Sequence, residues 1–259
     1  MSSPRNVFFA IVVVAAGVSG VALLVAPGST DRYFSWTLNP PAAAALIGGF
    51  YLASAVVFAW GMTLPWRAAR ALMVGVLGLA VPTLVLSLVH DEVFDFSRWQ
   101  ALAWMGLFLT APVSAALLLV TGPRGEPGPP VDRRVRAVLA VLAVALLAVG
   151  ALIWGDETRA DLLDASPVAL IRLTGTYLGA WCSFLGLLCG YAAVAGGRDE
   201  ARAALVTVAV AAAGAAVAFV RMLDDIRHPA AALVVCGVVA GVAVIAGRAT
   251  RVGPDHVHS

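Results

Sequence analysis

Eight runs of almost unbroken apolar residues occupy roughly 7–26, 40–62, 69–90, 99–121, 136–154, 167–194, 202–221 and 229–247, and most charged side chains fall between them or at their ends. A helix rising 1.5 Å per residue needs about 20 such residues to cross a hydrocarbon core about 30 Å thick. Each run qualifies or nearly does. The runs are continuous where a barrel strand would alternate over about ten residues, so the pattern predicts eight transmembrane helices. The first run follows Arg5 and has the outline of a secretory signal. It is long for one, however, lacks an Ala-x-Ala exit and has a counterpart in the fifth run, so it reads as a helix.

The second and sixth runs open alike. Pro41, Ala43, Gly49, Tyr51 and Leu52 recur 126 residues later, without a gap, as Pro167, Ala169, Gly175, Tyr177 and Leu178. At the midpoint of the chain, residues 121–132 hold seven Gly or Pro positions, which argues against regular structure and reads as a flexible connection. The expected architecture is an all-α membrane protein with two four-helix repeats, 1–121 and 136–259, joined by a Gly/Pro-rich cytoplasmic linker at 122–135. An even number of crossings in each half makes the repeats parallel, related by an axis along the membrane normal.

Composition changes this picture little: 61% of residues are hydrophobic and 12% charged, against about a quarter charged in a soluble domain. Charge adds orientation. With the N-terminus inside and eight crossings, Arg5, Arg67, Arg70, Arg124, Arg133, Arg134, Arg136, Arg198, Arg202, Arg248 and Arg251 share one side. Arg32, Arg98, Arg159, Arg221 and Arg227 lie on the other. Short cytoplasmic loops are enriched in Arg and Lys, so both termini are expected in the cytoplasm. Ten of the fifteen acids fall on the outer side. A basic inner face suits anionic membrane lipids as partners, and without a basic domain or an aromatic-basic motif no nucleic acid is expected. A membrane-protein partner or a homo-oligomer stays open.

Candidate chemistry is sparse. Tyr51 and Tyr177 lie ten residues beyond Pro41 and Pro167, about 15 Å into the bilayer and close to its midplane. A hydroxyl at that depth needs a partner. Gly49 and Gly175 would admit a neighbouring helix closely. Together these residues make either a packing contact or a ligand or permeation site. Arg172, whose counterpart is Leu46, sits about one and a half turns inside the sixth run, where it would snorkel, pair with Asp161 or Asp164, or meet an anionic substrate or lipid phosphate. The outer runs His90, Asp91, Glu92 and Asp95, and Asp224, Asp225 and His228, are either solvated loop charge or a divalent-cation site. Asp224 and His228 are the one i, i+4 pair there if a helix continues. The chain has no Lys, no Gly-rich phosphate loop, no Ser-His-Asp set and no His-Glu-x-x-His, which excludes a retinal Schiff base and implies no cofactor.

The stretch Phe34-Ser-Trp-Thr-Leu-Asn-Pro-Pro-Ala-Ala-Ala-Ala-Leu-Ile-Gly-Gly-Phe-Tyr51, followed by the acidic His90 run, resembles multi-pass integral membrane proteins of the actinobacterial type. The usual run there has a second His where this chain has Asp95-Phe96. The resemblance implies a bacterial plasma membrane and carries no functional residue across. Three functions are compatible with these features. The foremost is transport or hydrophobic-ligand binding at the interface of the two repeats, without enzymatic activity. The others are an assembly or accessory subunit of a membrane complex, and a lipid-acting enzyme using His90, Asp91 and Asp224.

Overall fold

Every apolar run forms a helix. The long helices are α1 (Pro4–Val25), α2 (Pro41–Gly61), α3 (Trp66–Val89), α4 (Trp99–Thr121), α5 (Arg133–Trp154), α6 (Arg172–Ala195), α7 (Arg198–Arg221) and α8 (Pro229–Ala249), all long and apolar enough to cross a membrane. The computed structural model describes residues 3–123, 128–154, 172–226 and 228–250, the side chains of Arg172 and Leu173 excepted. Pro41 opens α2 as expected, in the position where its missing N–H costs nothing. Pro167 lies outside the described residues.

The odd-numbered helices begin three or four residues before the apolar pattern does, at Pro4, Trp66, Arg133 and Arg198. Their first turns contain Arg5, Arg67, Arg133, Arg134, Arg136 and Arg198. A long arginine stem lies along apolar surface while its head reaches the interface, so the helix can start within the charged stretch.

The helices sort into two layers. At least half of the membrane stretch of α2, α3, α6 and α7 is buried, and under a third of that of α1, α4, α5 and α8. Within each half α1 packs along α2, α3 along α4, α5 along α6 and α7 along α8; between halves α2 packs on α7 and α3 on α6. The buried positions of α3, shifted by 132 residues, coincide with those of α7 at eleven of twelve places. The same shift carries the single 3-10 turn Asp91–Val93 onto Leu223–Asp225 and buried Phe94 onto buried Ile226.

Hydrogen bonds gather the helix ends into two opposite faces. On one, Arg5 donates to the carbonyls of Met62 (3.1 Å) and Leu64 (2.9 Å), beyond the end of α2. Residues 128–131 lie on this face too, and they are not a loose tether. The Val131 amide donates to the Gly196 carbonyl (2.8 Å) and the Arg198 amide to the Pro129 carbonyl (3.0 Å), an antiparallel bridge against the α6–α7 turn. The flexible connection expected from its Gly and Pro content is therefore tied down in its second part. Proline has no N–H to satisfy, but its carbonyl still accepts. On the opposite face Tyr33 donates to the exposed carbonyls at the end of α1, with Ala26 at 2.8 Å and Ala22 at 3.0 Å. Arg221 of α7 donates to Leu24 and Val25 there.

Candidate functional site

The seam between the halves is built where α2 meets α7 and α6. At Gly49 the backbones of α2 and α7 touch: a Cβ placed on Gly49 would lie 2.3 Å from the Gly214 carbonyl oxygen, and one on Gly214 equally close to that of Gly49. No larger residue fits either position without moving a helix. Gly175, the repeat counterpart of Gly49, is buried in α6.

Two residues beyond Gly49, Tyr51 turns toward α6. Its hydroxyl lies 2.6 Å from that of Tyr177, and both side chains are buried. The two tyrosines singled out by the sequence repeat thus partner each other, which meets the demand of two phenols for a hydrogen bond far from water. Edge-on and tilted aromatic rings enclose the pair. Trp36 (5.8 Å between ring centres) and Trp104 (5.6 Å) stand against Tyr177, and Trp181 (5.5 Å) against Tyr51, within the 4.5–7 Å range of favourable ring pairs.

Sequence reasoning missed Trp36. It comes from the connection between α1 and α2, which dips inward so that Phe34, Trp36 and Leu38 are buried; the Leu38 amide donates to Thr30 Oγ1 (2.9 Å) and holds the dip in place. The alternation of apolar residues at 34, 36 and 38 is the signal that marks an inserted extended segment. Polar atoms in this enclosure are unevenly satisfied. Trp104 Nε1 donates to Ser87 Oγ (2.9 Å), which in turn donates to the Thr83 carbonyl (2.8 Å). Trp36 Nε1, Thr83 Oγ1 and Thr174 Oγ1 are sealed from solvent with no partner among the described residues. A buried donor without an acceptor costs about 1–3 kcal/mol.

A second contact between the halves also escaped the sequence reading. Arg67 at the start of α3 donates to the Glu200 carboxylate in the first turn of α7 through Nε (3.1 Å) and Nη2 (3.0 Å), with side-chain exposures of 14% and 7%. Gly197 and Gly128 leave room for it, since a Cβ at either would stand within 2.7 Å of the guanidinium. In the sequence Arg67 serves only as an orientation signal, and nothing singles out Glu200.

The His90 run bonds locally. His90 Nδ1 lies 3.3 Å from Glu92 Oε1, and Asp95 Oδ1 accepts from the Ser97 amide (3.1 Å) and hydroxyl (2.6 Å). The Ser97 bonds hold the Asp95 carboxyl below its ordinary range. Backbone hydrogen bonding and then the His90 contact do the same for Glu92. Asp91, Asp224, Asp225 and His228 are exposed. No hydrogen bond or ion pair joins the His90 run to Asp224, Asp225 or His228, and no three His, Cys, Asp or Glu side chains converge on a metal-sized site among the described residues. The i, i+4 relation of Asp224 and His228 does not form. A lone 3-10 turn ends at Asp225 and α8 starts only at Pro229, because Pro229 favours an extended residue before it and so a break at His228. The Arg172 side chain and its expected partners Asp161 and Asp164 lie outside the described residues.

Comparison with protein families, with curated proteins and with solved structures finds nothing that matches this chain.

Proposed function

We propose that this is a membrane transport or lipid-ligand-binding protein whose ligand sits at the interface of two parallel four-helix repeats, with Tyr51 and Tyr177 at its centre. One observation carries the reading. Around the hydroxyl pair (2.6 Å), the sealed and unpartnered donors of Trp36 and Thr174 supply hydrogen-bonding capacity that an apolar seam does not need. The repeats are supported by the shared burial set of α3 and α7 and by the exchange-symmetric pairing of the eight helices. The arginine-bearing face is the cytoplasmic one on the positive-inside rule, which places both termini there, in a plasma membrane. The reading requires no catalytic group and assigns none.

A second reading, a non-catalytic accessory subunit, is favoured by the backbone contact of Gly49 and Gly214, which closes part of the seam. Native mass spectrometry of the protein extracted in mild detergent separates the two. Ligand binding gives a small-molecule or lipid adduct on the wild type that is depleted in the Trp36→Phe variant and in Tyr51→Phe/Tyr177→Phe. A bare chain accompanied by a stoichiometric partner protein defeats the ligand reading and favours the accessory one.

A further inference from the structure

At the arginine-bearing face, α7 and α8 part to leave a cleft of about 270 Å³. Its walls are apolar, formed by Leu205 and Ala209 of α7 and by Ala243 and Gly247 of α8, and its mouth carries two cations, Arg202 and Arg248. Arg202 stands in the second turn of α7 and Arg248 in the last turn of α8, so both heads sit where helix ends meet the headgroup layer. Neither guanidinium has a hydrogen bond or a carboxylate partner among the described residues. The Arg202 guanidinium lies over the Trp60 ring of α2, 5.8 Å from its centre. A ring face offers no hydrogen-bond acceptor of the carboxylate kind, so the N–H groups of Arg202 stay available to an anion. Val244, on the wall of the cleft, is 46% exposed, so the cleft opens sideways, where lipid tails would lie.

Two unpaired arginines over a small-residue crevice match the two ends of one molecule. A water-soluble anion would use the charges and leave the apolar walls unfilled, and a neutral lipid would use the walls and leave the charges bare. We propose that this cleft is a binding site for an anionic phospholipid, its phosphate held by Arg202 and Arg248 and an acyl chain laid between α7 and α8. Basic pockets between membrane helices on the cytoplasmic side recognise anionic headgroups by this chemistry. The site is separate from the tyrosine seam, and its test does not depend on that seam binding anything.

Native mass spectrometry of the full chain tests the proposal, with phosphatidylglycerol, phosphatidylcholine of the same chains, glycerol phosphate or inorganic phosphate added. Phosphatidylglycerol is expected to be retained over the other three. At about 1 kcal/mol per arginine, Arg202→Gln or Arg248→Gln should weaken retention roughly fivefold and the double variant about thirtyfold. Gly247→Leu fills the cleft while keeping both charges and should also weaken it. Arg134→Gln, which removes an exposed arginine from the same face, should not. Equal loss in Arg134→Gln would reduce the effect to general surface charge. Full retention in Gly247→Leu would remove the cleft from the account, and equal binding of inorganic phosphate would make this an anion site without lipid. If the double variant does not fold, the two single variants and Gly247→Leu decide alone.

Discussion

The hydroxyl pair of Tyr51 and Tyr177 and the ion pair of Arg67 and Glu200 both tie one half of the chain to the other, the first deep in the helix bundle and the second at its arginine-bearing end. Each phenol is donor and acceptor at once, so two of them satisfy each other without any charge, and aromatic rings can close around them. A guanidinium and a carboxylate would cost several kcal/mol apiece to desolvate at that depth. They lie instead at the helix starts. There the N-terminal end of α7 favours the Glu200 carboxylate, and the two glycines beside the pair keep side chains out of its way. The tyrosines come from matching positions of the repeat; Arg67 and Glu200 do not, for a shift of 132 residues carries Arg67 onto Asp199. A contact between matched positions is one residue type meeting itself, which suits a neutral hydrogen bond. Opposite charges need unmatched positions, which Arg67 and Glu200 supply.

This difference predicts unequal responses to losing one partner. The largest is at the ion pair: Glu200→Gln takes the carboxylate away from Nε and Nη2 of Arg67 and should cost up to about 3–5 kcal/mol, read as a loss of thermal stability in detergent. Replacing both partners by Met should recover most of that loss, because buried ion pairs are often no better than apolar residues of similar volume. A Glu200→Gln protein as stable as the wild type would mean that the pair is solvated and the contrast with the tyrosines is false.

Next in size is Gly49→Ala. The added methyl meets the Gly214 carbonyl, and overpacking of this kind costs about 1–3 kcal/mol. Tyr177→Phe should cost about 1 kcal/mol through the hydroxyl it orphans on Tyr51, while Tyr51→Phe/Tyr177→Phe should cost no more than either single change, since removing both partners leaves nothing unsatisfied. A four-protein thermal cycle measures this non-additivity. Simple addition of the two single losses would show that the hydroxyls do not depend on each other.

Much of this was legible in advance, for identifiable reasons. Helix number followed from the lengths of the apolar runs, and the matched sequence blocks singled out Tyr51 and Tyr177 as hydroxyls in need of partners, though not as partners of each other. The Arg67–Glu200 pair was hidden because charges near helix ends serve as orientation signals, and 133 residues separate the two. Nothing local to either announces a partner. Trp36 was hidden differently: its segment lies between two helices, and the alternation of apolar residues at Phe34, Trp36 and Leu38 is too short to stand out beside runs of twenty. The linker misled because proline content speaks to helix and strand but not to whether a carbonyl finds a donor.

The smallest effect belongs to the acidic face, where the same carboxylate chemistry meets water. The Asp95 carboxylate is exposed and bonded to Ser97, which holds its pKa below the ordinary value. A depressed carboxyl stabilises the fold at pH values above its unfolded range, near 4, and that contribution fades as the pH drops through the folded value. The difference in melting temperature between wild type and Asp95→Asn should therefore be small and constant from about pH 7 to 5 and shrink toward zero below about pH 3. The Glu200→Gln difference at neutral pH should remain several times larger. If the Asp95 difference instead grew on acidification, or matched that of Glu200, burial would not be what separates the two carboxylates.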